Sequence, residues 1–234
     1  MGDGIMARLL QQDSQFQQAF EDTIRTNVQK EVNRILTRMH PRLSAVVAPA
    51  LAPLIWWSVK SRRADFDRID IKGEDRFTLF MAEHLDATWM VCPNVVVALG
   101  SQIVAQLDHL IIGPAGLYVV DTVSKSAMRA CGDAWQHQTR TDWGTMGSPT
   151  THTKGLVRTL QHWMAQAQLV SLQEAVMGVV VLLGSSRLRV ADLPMSVVDG
   201  PSALTHWLME TDAQRAVVLS TRMVEDCLQR LQIW

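Results

Sequence analysis

The chain has 234 residues, of which 47% are hydrophobic and 19% are charged, and its formal net charge is -1. This composition is typical of a globular protein and excludes a disordered one, and the length suits one sizeable domain with an appendage, or two small domains. The near-zero net charge gives no general attraction to nucleic acid or to an anionic membrane, so binding to either would need a local patch.

The amino-terminal residues 8–40 have the spacing of one long amphipathic helix. Hydrophobic side chains recur at steps of three, four or seven from Leu9 to Met39, and Pro41 closes the segment. Such a stripe needs a partner surface. The body of the domain, a second copy of the chain, and a membrane or protein partner all remain open, so a homo-oligomer formed through residues 8–40 is one expectation.

Residues 43–59 form an uncharged stretch, LSAVVAPALAPLIWWSV, with basic residues on both sides. Its length is at the lower limit of a membrane span, and Pro49 and Pro53 interrupt it. The tandem Trp56-Trp57 beside basic residues resembles an interface anchor, which leaves membrane association through 43–59 open. We favour a hydrophobic connector that is buried against the globular domain.

A polar stretch at 61–72 separates the two predicted domains, an amino-terminal helical arm at 1–60 and a larger domain at 73–234. The larger domain alternates strands and helices, which predicts an α/β (α+β) fold with a mixed central sheet flanked by helices. The predicted strands are Trp89–Leu99, two strands within 106–125, Val176–Leu183 and Met195–Val198. The predicted helices begin at Gly73-Glu74 and at Ser148-Pro149, the second running to about Leu169, and also cover Ser202–Met209 and Arg222–Leu231, while 125–147 reads as strand fragments and loop.

The stretch from Gln106 to Lys125 contains two apolar strands around a Gly-Pro-Ala-Gly turn, and each strand carries one acid. Asp108 lies near the predicted start of the first strand and Asp121 near the end of the second. A carboxylate in an apolar strand is costly to bury unless it is paired or bound to a metal. Together with Glu74 on the preceding helix, these acids could hold a hard cation such as Mg²⁺ (or Mn²⁺). The competing reading is structural, with Asp108 capping a turn or pairing with Arg129 or Arg140.

The order of these landmarks resembles that of the PD-(D/E)XK restriction-endonuclease-like nucleases, and more narrowly the nuclease-related domain, NERD. The resemblance extends from residue 73 to about 230, about two-thirds of the chain. Its matching segments are Gly73-Glu74, Asn94-Val95, Leu107 to Leu110, Gly113-Pro114, Gly116 to Thr122, Trp135 and Ser148-Pro149. The resemblance implies a restriction-endonuclease-like fold. It also implies a metal-dependent nuclease that acts on nucleic acid, with Glu74, Asp108 and Asp121 as metal ligands and catalytic residues.

Two positions depart from the family pattern. Where the family usually reads Glu-Thr-Lys, this chain reads Asp121-Thr122-Val123, so the carboxylate is kept but the lysine is lost. Lys125 should lie on the same face of the strand, roughly 7 Å further along, and could act as a displaced catalytic cation. In the helix after Ser148-Pro149, His152 stands where the family usually has Gln and could contact nucleic acid.

The first expectation is therefore a nuclease, possibly weakened by the missing lysine, that hydrolyses DNA or RNA with Mg²⁺ or Mn²⁺. The alternative is a catalytically inactive nuclease-fold module that binds nucleic acid or protein and is oligomerised or attached to a membrane through its amino-terminal arm. The three scattered cysteines and the lack of a secretory signal favour a cytoplasmic location, with membrane association as the alternative.

Overall fold

The structure is a computed structural model that describes residues 6–15, 75–99, 102–124, 127–139, 141–183, 188–216 and 219–234, with single residues 18, 22, 26 and 30. It divides into two units. The first comprises Met1–Asp13 and Gly73–Trp234, and the second is Ser14–Lys72. Residues 14, 15, 18, 22, 26 and 30 of the second unit are helical.

Two sheets organise the first unit. The strands are β1 (Arg8–Leu9), β2 (Met90–Leu99), β3 (Gln102–Ile112), β4 (Leu117–Ser124), β5 (Met128–Cys131), β6 (Ala134–Gln138), β7 (Trp143–Met146), β8 (Val176–Leu183), β9 (Leu188–Ala191) and β10 (Ser196–Asp199). The main sheet has the order β1-β2-β3-β4-β8-β10, and the second sheet has the order β7-β6-β5-β9. In the main sheet β3 is antiparallel to both neighbours, whereas β4, β8 and β10 run parallel to one another.

Helices cover both faces of the main sheet, which explains why its central strands are almost continuously apolar. The helices are α1 (residues 75–84), α2 (Pro149–Gln166), α3 (Pro201–Ala213) and α4 (Thr221–Leu231), with a short 3-10 helix at Val170–Ala175. Buried side chains of α2 and α4 pack on one face of the sheet, and those of α1 and α3 pack on the other. The predicted mixed α/β fold with flanking helices is confirmed, and it is consistent with a restriction-endonuclease-like fold.

The predicted helix at 8–40 is wrong at its start. Arg8–Leu9 is a strand that pairs in parallel with Met90 and Val91 of β2. The backbone groups of this segment find hydrogen-bond partners at the edge of the sheet, and this tertiary pairing overrides the helical spacing of its side chains. The structure thus places the first thirteen residues with the larger domain, although the sequence assigned them to the arm.

Most of the arm lies outside the described residues, including the apolar segment 43–59. Among the helices that the structure describes, none combines the length and apolar character needed to cross a membrane.

Gln12 joins the amino-terminal strand to the rest of the unit. Its side-chain amide mimics a neighbouring strand, because Nε2 donates to the Val96 carbonyl at 2.8 Å while Oε1 accepts from the Val96 N–H at 2.7 Å. The same Nε2 also donates to the Leu231 carbonyl at 2.7 Å at the end of α4. Gln12 is buried, so these three bonds replace contacts with water that burial has removed.

We predict that Gln12→Ala lowers the free energy of unfolding by about 2–4 kcal/mol, since it leaves buried backbone groups of Val96 and Leu231 unpaired. Urea denaturation would measure the change. Gln11→Ala is the matched control, because the Gln11 side chain is exposed and should contribute little. Equal losses in the two variants would show that the amide does not hold the strand in place.

Candidate functional site

The two acids of the hairpin lie where β3 and β4 separate. The antiparallel pairing runs from Ile112 opposite Leu117 to His109 opposite Val120, and it ends there. Asp108 and Asp121 would form the next opposed pair of the ladder. Beyond the end of the ladder, the Asp108 carboxylate provides an acceptor for the Thr122 backbone. Its Oδ2 accepts the Thr122 N–H at 3.0 Å and the Thr122 hydroxyl at 3.2 Å. At this point, which we call the β3–β4 fork, the two strands separate and the side chains of Asp108 and Asp121 turn toward each other.

Asp121 is only 8% exposed and is fixed from the helix side. The fully buried Thr153 hydroxyl lies 2.8 Å from Asp121 Oδ2 and 2.9 Å from the Pro149 carbonyl in the preceding turn of α2, so its proton is shared between the two acceptors. Gly178 of β8 allows this approach. A Cβ at Gly178 would stand 2.8 Å from a methyl of Val157 and 3.1 Å from the methyl of Thr153, so any larger residue would press on α2.

Asp108 and Asp121 bring two carboxyl groups together where Asp121 has little contact with water. Burial, the negative charge of Asp108 and a hydrogen bond with Asp108 together raise the pKa of Asp121 to about 8, and the Thr153 hydroxyl opposes this shift. Within the part of the chain that the structure describes, no Lys, Arg or His forms an ion pair with either carboxylate. The pair therefore either retains a proton at neutral pH or needs a cation from solution.

This donor set fits a hard divalent cation. Mg²⁺ is commonly bound through one or two carboxylates, with waters and substrate phosphates completing its shell, and two neighbouring carboxylates that lack a protein cation offer such a site. A group of three or more metal-binding side chains does not occur among the described residues. Glu74, the predicted third ligand, lies outside them, as the first described residue of α1 is Asp75.

Val123 occupies the position of the family's lysine and shares a face with Asp121. Its side chain is half-buried and packs on an apolar cluster that joins the two sheets, formed by Met128, Ala130, Trp135, Val180 and Leu182. The second sheet therefore packs against one side of Val123 and leaves the rest of its side chain exposed. Lys125, the predicted substitute, lies outside the described residues.

His152 is exposed on the first turns of α2, and the next residue, Thr153, is the one that reaches the acid pair. Sequence reasoning missed Thr153, although a signal was present. Thr153 lies one helical turn before the apolar stripe of Val157, Leu160 and Met164, which predicts that it faces the sheet. Arg129 does not pair with Asp108 as one alternative supposed, because its guanidinium binds Gln136 and covers Trp143.

His109 points away from the acid pair, as strand alternation predicted. It is buried against Phe77 of α1, with ring centroids 4.8 Å apart, and its Nε2 lies 2.7 Å from the Thr78 hydroxyl. Burial lowers the pKa of His109 to about 4, so the ring is neutral at physiological pH despite the adjacent Asp108. It belongs to the opposite face of the sheet and not to the site.

Comparison with known proteins identifies the class. The family model of the nuclease-related domain, NERD, matches residues 69–183, a range that contains β2, β3, β4, α2, β8 and both acids. Residues 69–183 therefore match the nuclease-related domain, and the predicted resemblance is confirmed over this range. Neither the curated proteins nor the solved structures include a significant match to the chain.

The raised pKa of Asp121 predicts an unusual dependence of stability on pH. Between about pH 4 and pH 8 the unfolded chain ionises Asp121 while the folded protein keeps it protonated, so the folded state binds more protons and its stability falls as pH rises. In EDTA, the stability of the wild type relative to Asp121→Asn should fall by about 1.4 kcal/mol per pH unit across this window and level off above it.

Asn suits this comparison because it imitates the protonated acid and still accepts the Thr153 hydroxyl. Urea denaturation at several pH values between 5 and 9 measures the difference. Parallel stability curves for the two proteins would contradict the raised pKa.

Proposed function

We propose that this nuclease-related domain hydrolyses nucleic-acid phosphodiesters with Mg²⁺ or Mn²⁺ held by Asp108 and Asp121. The observation that carries the proposal is the carboxylate pair at the β3–β4 fork, where buried Asp121 and half-buried Asp108 lie together without an ion-paired protein cation among the described residues. Families built on this fold are usually dependent on divalent metals, which agrees with the donor set. Glu74 is proposed as an additional ligand from the helix that precedes the pair.

The residues around the pair prepare it for this task. Thr122 fixes Asp108 through two hydrogen bonds, and Thr153 fixes Asp121 through one. A bound divalent ion would lower the pKa of a water ligand and neutralise charge that develops on the phosphodiester. Asp121 would release its proton when the site is filled, and both carboxylates would then serve as ligands. Lys125 is proposed to reach back along the strand and orient the attacking water, the task for which Val123 has no suitable group.

A second candidate function is a catalytically inactive module that binds nucleic acid or protein. The packing of half-buried Val123 against the cluster between the sheets favours it, because an apolar contact replaces the cation that the resemblance would place there. In that case residues 8–40 and 43–59 would contribute oligomerisation or membrane attachment, and the acid pair would persist as a structural remnant.

We predict that Asp108→Asn reduces metal-dependent cleavage of labelled DNA or RNA at least about a hundredfold, because it removes one of the two described carboxylate ligands. Asn still accepts the Thr122 N–H, so folding should be preserved and circular dichroism should be unchanged. Asp226→Asn on the exposed side of α4 is the control for a change of one charge.

Cleavage that survives Asp108→Asn would rule out the acid pair as the catalytic site. If the wild type cleaves no form of DNA or RNA in Mg²⁺ or Mn²⁺ yet binds one of them, the inactive module is the correct reading.

Restoring the family's lysine is an independent test. We predict that Val123→Lys raises the cleavage rate about tenfold or more, since a positioned cation near the scissile phosphate stabilises negative charge in the transition state. Val123 is half-buried, so the long lysine stem can follow the apolar surface while its ammonium reaches the fork. Val123→Met is the matched control for side-chain size. A rate that rises equally with Met, or with neither variant, would show that the missing lysine does not limit activity.

A further inference from the structure

The second sheet has one packed face and one open face. Along β5 the side chains alternate, so Met128 and Ala130 are buried against the main sheet while Arg129 and Cys131 point outward. The inner face is anchored by Trp135, whose indole N–H donates to the Thr150 hydroxyl at 3.3 Å. The outer face has no element packed on it among the described residues, and it forms a shallow cleft of about 520 Å³.

Two arginines are neighbours in this cleft. The strand register places Arg129 opposite Gln136 on one side and opposite Arg189 on the other, and it places Thr145 beside Gln136. These four side chains thus form one row across the sheet, with neighbouring strands about 4.8 Å apart. Like charges directly opposite each other destabilise a sheet, so this arrangement does not serve folding.

Arg129 is held ready to bind a ligand. Its Nε donates to Gln136 Oε1 at 2.6 Å, and its guanidinium carbon lies 4.4 Å from the centre of the Trp143 ring. These contacts fix the plane of the guanidinium and leave its two terminal amino groups available. A fixed, planar donor fork of this kind matches the oxygens of a phosphate group.

Asp133 lines the cleft and Asp142 lies beside Trp143, and both acids accept hydrogen bonds from neutral donors. Asp133 Oδ1 accepts from the Thr151 hydroxyl at 3.1 Å, and Asp142 Oδ1 accepts the Trp143 N–H at 2.7 Å. No ion pair involves Arg129 or Arg189 in the described ranges. The row therefore presents two guanidinium groups without an ion-pair partner in these ranges, with the single acid Asp133 in the same lining, although the whole chain has a net charge of -1.

We propose that Arg129 and Arg189 form a phosphate-binding site on the outer face of the second sheet and hold the backbone of a single nucleic-acid strand. The inference rests on the proposed function in one respect, because it takes nucleic acid as the partner of this domain. The cleft lies on the solvent side of the second sheet, whose packed side adjoins β4 and β8, so it is a separate site from the acid pair.

Equilibrium binding tests the site without any cleavage. The probe is a fluorescein-labelled single-stranded DNA of about 20 nucleotides, enough to cover a binding face of this type, and anisotropy is measured in EDTA with the full chain. Arg129→Gln combined with Arg189→Gln should raise Kd at least tenfold. It should also reduce the slope of log K against log salt by about 1.4, since each lost phosphate contact removes about 0.7 on a single strand.

The control is Arg222→Gln combined with Arg230→Gln, which removes the same charge from exposed positions on α4. Equal effects of the two double variants, an unchanged salt slope, or no binding by the wild type would overturn the phosphate site. Thermal unfolding of the variants verifies that each is folded.

The outcomes also separate this site from the catalytic proposal. Cleavage that depends on Asp108, with binding that ignores Arg129 and Arg189, would leave the catalytic proposal standing and overturn the phosphate site. Binding that depends on the two arginines in a protein that cleaves nothing would support the phosphate site and overturn catalysis.

Discussion

Two like charges meet where β3 and β4 part, and much of the surrounding structure serves to tolerate them. Asp108 and Asp121 lie close enough to share a proton, and burial together with mutual repulsion drives the pKa of Asp121 upward. The groups that donate hydrogen bonds to these carboxylates are neutral, namely the N–H and hydroxyl of Thr122 and the hydroxyl of Thr153. Neutral donors orient carboxylates but do not neutralise them. The arrangement is thus costly for the empty protein and suited to a site that takes up a cation.

The fold positions this pair through three separate devices. Antiparallel pairing of β3 and β4 brings the acids opposite each other, and the end of the ladder frees Asp108 to accept from Thr122. Parallel pairing of β4 with β8 places Gly178 next to α2. Because Gly178 has no side chain, α2 can approach the sheet closely enough for Thr153 to contact Asp121. Each device depends on residues distant in sequence, so the site forms only when the whole sheet is assembled.

Sequence reasoning predicted the parts of this arrangement that depend on local pattern. Alternation along the strands placed Asp121 and Val123 on one face and His109 on the opposite face from Asp108. Acids within apolar runs marked the site, and the order of motifs indicated the family. Thr153 was missed because a hydroxyl in a helix carries no charge to mark it, and His152 beside it attracted attention instead.

The amino terminus and the second sheet were harder to predict, for a different physical reason. Arg8–Leu9 has side chains that suit a helix, but its backbone pairs with β2, and pairing between residues 82 positions apart, such as Arg8 and Met90, leaves no local pattern. The second sheet consists of four short strands among Gly, Thr and Asp, too short to show a clear period. It nevertheless bears on the site, because its apolar cluster packs against half-buried Val123 two residues after Asp121.

The central claim is that Asp108 and Asp121 together bind one divalent cation. The most direct measurement is a crystal structure of the protein soaked in Mn²⁺, with the ion located by its anomalous scattering. The account predicts a single strong peak at the β3–β4 fork, within about 2.0–2.3 Å of an oxygen from each carboxylate, the coordination distance expected for a small hard cation. A peak bound by only one of the two acids, or no peak at the fork at saturating Mn²⁺, would contradict it.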